Sequence, residues 1–364
     1  MRVRLKPTEA ESLGLEVRLN EGTRNARYTI SSEQFEKIKD FRLGSLKTQT
    51  EKDNIPLNDT KHLWLKTPEA SYFITNPLYK KDEENSLFDR FKDIINSKEC
   101  KYPKIKRTPS KDAHLLVVNP ADIHIGKLTS AFETGDEYNV KIAVKRVKDG
   151  VQGILDKSSG FNIDKILFVA GNDILHTDNA KRQTTSGTPQ DTDGMWYENF
   201  LSAFKLYVEL IETLVSVADV HFVFCPSNHD YMSGFFLCQT VEQYFRNNKN
   251  ITFDCSMSHR KYYVYGENLL GFTHGDSAKQ ADLPLLMAHE AKEWSITKHR
   301  YIFCHHVHHR NSKDFMSVNV ETMRSPSGTD SWHHRSGYQH APKAVEGFLH
   351  HKSFGQVAKL SHLF

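Results

Sequence analysis

The chain has 364 residues, 38% of them hydrophobic and 26% charged, with a formal net charge of +3. That length and balance suit a soluble globular protein of two domains with a sizeable core. No apolar run reaches the length of a membrane span. The five cysteines are scattered without a CxxC pair, which argues against a disulfide framework. The small net charge permits nucleic-acid binding without predicting it. The start, Met1 to Pro7, lacks the apolar core of a secretory signal, so a cytoplasmic, intracellular protein with no membrane partner is expected.

In chain order, residues 1–110 read as a separate accessory region, a smaller α+β extension. Ser31-Ser32-Glu33-Gln34 has the form of a capping box opening a short helix through Phe35 and Ile38, stopped near Gly44. Thr48 to Thr60 reads as a polar loop. Leu63-Trp64-Leu65 and Tyr72-Phe73-Ile74 flank a turn and read as a hairpin. Asp82 to Ile95 carries apolar residues at helical spacing. Together these would make either a structural extension or a small winged or docking module. Lys98 to Lys111 is basic and broken by Pro103 and Pro109. It reads as a solvated connection, or alternatively as a contact for a phosphate backbone.

Residues 111–364 have the texture of an α/β domain. Strands are predicted at Leu115–Val118, Ile163–Ala170, His221–Cys225 and Tyr301–Cys304, with a strand hairpin around Gly266. Helices are predicted at Val140–Leu155, Trp196–Val217, Thr240–Arg246 and Leu283–Trp294. Five strands end in polar clusters: Asp122-Ile123-His124; Gly171-Asn172-Asp173 with His176; Ser227-Asn228-His229-Asp230; His274-Gly275-Asp276; and His305-His306-Val307-His308. Open α/β sheets bind ligands at the carboxyl ends of their strands. Carboxylate, imidazole and amide oxygen are the donors of a hard-to-borderline divalent metal. The set is larger than one ion needs, which points to two ions, about 3.5–4 Å apart in such centres, clamping an in-line displacement at phosphorus.

These five clusters, in this order, resemble the motif series of the calcineurin-like metallophosphoesterases over roughly Asp112 to Phe364. Gly171 to His176 is similar to the corresponding motif of the SbcD-type DNA-repair nucleases. The stretch Thr184–Asp191 and the tail Asp330-Ser331-Trp332-His333 resemble phage-encoded members. The resemblance implies a four-layer α/β/β/α sandwich. It implies that Asp122, His124 and His308 hold one metal, that Asn228, His274 and His306 hold the other, and that Asp173 bridges them. His229 would act as general acid with Asp230 orienting it, His176 would steer the phosphate, and a hydroxide shared by the metals would attack. Manganese is the expected metal, with zinc, iron or magnesium as alternatives.

The same resemblance implies DNA as partner and substrate, a homodimer, and an ATPase partner. No coiled-coil attachment for such an ATPase is read in this chain. Two rival functions stand beside the nuclease: a phosphomonoesterase acting on a phosphoprotein or nucleotide, and a non-catalytic binding protein whose metal site is structural. The series departs from the family where His305 occupies the position of a glycine, so that His305 and His306 compete for one ligand role. Arg310 is a candidate contact for a substrate phosphate. Trp332 reads as either a core residue or a stacking surface, and the Thr184–Asp191 loop as either a cap over the site or ordinary surface.

Overall fold

The computed structural model describes residues 2–5, 7–17, 26–38, 40, 62–66, 71–76, 102, 104–108 and 112–364. The chain divides into two units, Met1–Ser97 and Lys98–Phe364. In the first, β1 (Arg2–Leu5) pairs antiparallel with β2 (Ala26–Thr29), beside the helix Pro7–Ser12. Leu5, Ala10, Tyr28, Ile30 and Ile38 form its small core. The capping box is present: the Gln34 N–H donates to Ser31 Oγ at 3.1 Å, and the Ser31 N–H donates to Gln34 Oε1 at 3.0 Å. The hairpin is present too, as β3 (His62–Lys66) against β4 (Ser71–Thr75) with Trp64 opposite Phe73. The predicted Thr48–Thr60 loop, the stop at Gly44 and the Asp82–Ile95 helix lie outside the described residues.

The second unit is built on two mixed sheets. The first is six-stranded, in the order β15-β14-β5-β6-β7-β8. Its parallel run is β5 (His114–Asn119), β6 (Ile163–Gly171), β7 (Asp219–Cys225) and β8 (Ile251–Asp254). The antiparallel edge is β14 (Ala344–His351) and β15 (Gly355–Leu363). The second sheet is five-stranded, in the order β12-β13-β11-β10-β9. It contains β9 (Lys261–Tyr265), β10 (Asn268–Thr273), β11 (His299–Cys304), β12 (Asn311–Phe315) and β13 (Val318–Thr322).

Side chains alternate across each strand, and the two parities have different neighbours. Leu115, Val117, Leu167 and Val169 of the first sheet share one buried cluster with Leu270, Phe272 and Phe303 of the second. The two sheets therefore face each other. The opposite parity of the second sheet, Leu269, Ile302, Val318 and Val320, packs on Leu283 and Met287 of the helix Leu283–Glu290. On the outer side of the first sheet lie the long helices Val140–Ser158 and Trp196–Val217. Phe168 meets Tyr207 there edge-on at 5.7 Å. A Cβ at Gly150 or Gly347 would press on Val345 or Ile154, so glycines let the helix Val140–Ser158 lie close to β14. The result is the expected four-layer α/β/β/α sandwich. No helix among the described residues is long and apolar enough to cross a membrane.

Several elements differ from the sequence reading. The helix placed at Thr240–Arg246 begins at Tyr231, directly after a site loop, through a stretch of Ser, Gly and aromatic residues with poor helix propensity. Leu283–Trp294 breaks at Ala291 into a helix and the 3₁₀ turn Lys292–Ile296. The described part of the basic segment, residues 102 and 104–108, is tied down. Ile105 exchanges backbone hydrogen bonds of 3.0 Å with the Asn250 side chain, and Arg107 pairs with Asp219 at 2.9 Å and donates to the Val217 carbonyl at 2.7 Å.

Candidate metal centre

Strands β5, β6, β7, β10 and β11 each run out into a polar loop, and the five loops meet at one end of the two sheets. Their backbones turn sharply. Asp122 (φ 51°), His124 (51°), Asn172 (50°), Asp173 (59°), His306 (70°) and His308 (56°) all occupy the left-handed region. Only two other described non-glycine residues do, so strained backbone is concentrated where the donors are. The turns are tied together: the Asp122 N–H donates to Asn172 O at 2.8 Å, and the His124 N–H to Asp173 O at 2.8 Å. Gly171 makes the approach of β6 feasible, since a Cβ there would lie 2.3 Å from the Cys225 carbonyl oxygen.

Three groups of donors lie side by side. Asp122, His124 and His308 make the first, Asp173, His274 and His306 the second, and His124, His176 and His229 a third that shares His124, with ligand atoms in each group within 4.8 Å of one another. In the first, His308 Nε2 lies 3.4 Å from both Asp122 Oδ1 and His124 Nε2. In the second, His274 Nε2 lies 3.2 Å from Asp173 Oδ2 and 2.8 Å from Asn228 Oδ1. Asp173 Oδ2 is also 4.0 Å from His124 Nε2, so this carboxylate reaches toward both groups. The donors are two fully buried carboxylates, an amide oxygen and several imidazoles, and these fit hard-to-borderline divalent cations.

Electrostatics agree with that fit. Burial alone would push Asp173 up, but the neighbouring His274 and His229 hold it far below the usual carboxylate range. Asp122 is likewise held down, against burial, by His308 and His274. Burial would depress His274, yet the Asp173 carboxylate raises it to about 9, so a proton compensates the buried charge. His124 and His176 are pushed well below the ordinary histidine range, chiefly by burial. His306 and His308 are lowered by the same cause. His124, His306 and His308 are thus held in the neutral ligand form, whereas His274 would have to give up its proton to a cation.

His176 supports two neighbours rather than facing outward alone. Its Nδ1 meets His124 Nδ1 at 3.3 Å, and its carbonyl accepts from His229 Nδ1 at 3.0 Å while the two rings stack. One hydrogen bond of this kind sets the His124 tautomer and leaves Nε2 to the ligand group. The His229 N–H donates to Asp173 Oδ1 at 3.0 Å. Asp230 does not orient His229, contrary to the sequence reading. Its carboxylate accepts from Ser227 Oγ at 2.6 Å and from the Leu175 N–H at 2.8 Å. Burial and the nearby Asp173 push Asp230 up to about 7. Ser227 Oγ in turn accepts the Asp173 N–H at 2.7 Å, so Asp230 braces the loop that aims Asp173.

Arg310 is also a correction. Its guanidinium pairs with Glu321 at 3.0 Å and reaches Glu346 at 3.7 Å, and it does not line the pocket. Both glutamates are fully buried and need a compensating cation. The geometry sets His305 and His306 apart. His305 turns inward, with Nδ1 2.9 Å from Thr273 O and Nε2 2.9 Å from Asn119 Oδ1. Burial lowers it to about 4. A neutral ring has one N–H, which one of these two oxygens accepts. His306 alone joins a donor group.

The donors open into a pocket of about 870 Å³ lined by His124, Asp173, His176, His229, His306 and His308. Thr188 to Asp191 line it too, so that loop borders the site. It is held by Thr185, whose N–H donates to Asn228 O at 3.2 Å. Trp332 is not a core residue; it is 56% exposed and lines the same pocket. Sequence reasoning missed Lys127, which is buried and pairs with Asp330 at 2.8 Å. A lone lysine three residues after His124 carries no motif that would reveal this.

No family model matches the chain, and no curated protein matches it. Among solved structures it is similar to a novel archaeal phosphodiesterase at 9% identity, over 69% of this chain and 99% of that one, with a TM-score of 0.34. A zinc-complexed Vps29 from Entamoeba histolytica aligns at 11% identity over 68% of this chain and 98% of that one, TM-score 0.31. A predicted phosphoesterase from Streptococcus pneumoniae aligns at 11% over 69% and 97%, TM-score 0.28. Likenesses of this depth carry no assignment of activity.

Proposed function

We propose that this protein is a phosphodiesterase that works with two divalent cations, and that its substrate is DNA. The observation that carries this reading is the position of Asp173. One of its oxygens lies 3.2 Å from His274 and 4.0 Å from His124, members of two adjacent donor groups, while the other accepts the His229 N–H. Asp122, His124 and His308 would hold one cation, and Asn228, His274 and His306 the other, with Asp173 shared. Two cations held there would lower the pKa of a water and neutralise the phosphate undergoing displacement. Manganese is the metal we expect, with zinc, iron or magnesium as rivals.

The chain's own contribution is placement and proton transfer. His229 Nδ1 is engaged by the His176 carbonyl, which leaves Nε2 to give a proton to the leaving oxygen. His176 thus supports catalysis by position, through His124 on one side and His229 on the other. With added manganese the protein is expected to cleave DNA, and Asp173→Ala is expected to abolish turnover. His229→Ala should lower kcat by about 10²- to 10⁴-fold, the usual contribution of a general acid. DNA cleavage retained in both variants would overturn the reading.

One observation favours a second substrate class. Among the described residues lining the pocket, Arg335 is the one permanent cation, and the volume is that of a small-molecule site. A phosphomonoesterase acting on a nucleotide would need no long basic groove. Comparing an aryl monoester with a bis-aryl diester and an oligonucleotide separates the two. Turnover confined to the monoester would replace the nuclease reading.

A further inference from the structure

One wall of the pocket takes no part in the donor groups. It is formed by the short helix Ser331–Arg335 and the residues that follow to Tyr338. Trp332 is 56% exposed and Tyr338 is 63% exposed, with ring centroids 5.7 Å apart and planes tilted by 41°. Two large aromatic rings side by side in water, at the rim of a pocket, are apolar area that folding has left uncovered. A planar ligand covers such area at little entropic cost.

This wall is joined to the metal centre. Trp332 meets His333 edge-on at 5.0 Å, and His333 stacks on His308 at 5.0 Å with planes 14° apart. Two ring-to-ring steps therefore lead from the exposed indole to a residue of the first donor group. The wall is also anchored. Asp330 accepts from the His333 N–H at 2.8 Å and from His333 Nδ1 at 2.7 Å, and it pairs with buried Lys127. Lys127 belongs to the loop that carries Asp122 and His124, so one loop fixes both the donors and the aromatic wall.

We propose that Trp332, with Tyr338 beside it, is a stacking platform for an unpaired nucleobase of the nucleotide whose phosphate lies at Asp173. The proposal rests on the phosphodiesterase reading and adds the form of the substrate. A base inside a duplex has both faces covered by its neighbours and cannot lie on the indole. The occupant is therefore a single strand or a free nucleotide, which present the same chemistry. Stacking of this kind tolerates any base, because each has a π-face.

Two diesters with one leaving group isolate the platform: the p-nitrophenyl ester of thymidine 5′-phosphate, and methyl p-nitrophenyl phosphate, which has no base. The ratio of their kcat/KM values is expected to fall about 5- to 150-fold in Trp332→Ala, mainly through KM, as loss of one base–aromatic stack implies. Trp332→Phe should restore most of it. An unchanged ratio in Trp332→Ala overturns the platform. Both rings are exposed, so the unfolding midpoint should stay at the wild-type value and exclude misfolding.

A binding measurement on the full chain with chelator present is independent of turnover. Labelled oligothymidylate should bind more tightly than the same strand annealed to its complement, and Trp332→Ala should remove that preference. Equal affinity for strand and duplex, or a preference that survives Trp332→Ala, overturns the platform. Competition by thymidine 5′-monophosphate would support it with a free nucleotide as occupant, and competition by the oligonucleotide alone would support it with a strand. Failure of the wild-type protein to hydrolyse either ester counts against the phosphodiesterase reading, and the binding result then decides the platform by itself.

Discussion

His305 and His306 are neighbours in sequence whose side chains do different work. The His305 N–H continues the ladder by donating to His274 O at 2.9 Å, and its ring stays between the sheets. At His306 the backbone turns to φ 70°, the N–H swings onto Asp122, and the ring joins Asp173 and His274. His305→Ala should therefore cost stability, about 1–3 kcal/mol for the Thr273 carbonyl and Asn119 amide left unpaired. His306→Ala should instead weaken metal binding with a smaller loss of stability. Urea unfolding and calorimetric titration with manganese measure the two effects. A larger loss of metal affinity in His305→Ala than in His306→Ala would reverse the assignment. The residue types of the site were legible in the sequence because five strand ends repeated one donor chemistry. The left-handed turns at Asp122, His124 and His308 were not, since histidine and aspartate, though enriched there among non-glycine residues, mark positive φ far more weakly than glycine does.

At the scale of elements, the apolar strands β5, β6, β7 and β11 could be read directly, while β12 to β15 could not. In β13 and β14 the reason is the charge inside them, and β12 is exposed along most of its length. Glu321 on β13 and Glu346 on β14 are fully buried, and they are held by Arg310, Lys359 on β15 and Arg324, with Arg324 to Glu346 at 2.9 Å. A period-2 pattern fails where a buried position is a glutamate. The same network joins the edge of the second sheet to the antiparallel edge of the first. Arg310→Ala leaves Glu321 with Lys359 as its remaining cation. Breaking a buried pair costs about 3–5 kcal/mol, and the partial exposure of Arg310 together with the surviving lysine should reduce this to about 2–3. A substrate-binding role for Arg310 would show the opposite pattern, a raised KM at wild-type stability. Denaturant unfolding beside steady-state kinetics separates the two.

The second unit is held by the contact between its two sheets, and part of that contact is made by neutral histidines against tyrosines. His350 of β14 meets Tyr301 of β11 at 4.9 Å, and His221 of β7 stacks on Tyr263 of β9 at 4.9 Å. His350 is fully buried, and neither ring nitrogen has a hydrogen-bond partner among the described residues. Burial, with His299 nearby, pushes it down to about 3; burial and Lys165 push His221 down to about 4. At pH 7 both rings are neutral in the folded chain and mostly neutral in the unfolded one, so they contribute little pH dependence there. As pH falls through the ordinary histidine value the unfolded chain takes up protons that the folded chain refuses. Stability therefore falls with pH, and for His350 the loss is complete only below its folded value, about 3. Between pH 6.5 and 4 the His350 share is about 3 kcal/mol, at about 1.4 kcal/mol for each unit of pKa shift. His350→Leu fills the site without a titrating group and should remove that share. Guanidinium unfolding of both chains at pH 7 and pH 4 measures it. The wild-type chain is expected to lose about 3 kcal/mol more than the variant across that interval. Equal losses would mean that His350 finds a proton-compatible setting between the sheets, and the acid sensitivity of the sandwich would then rest on His221 and the buried carboxylates.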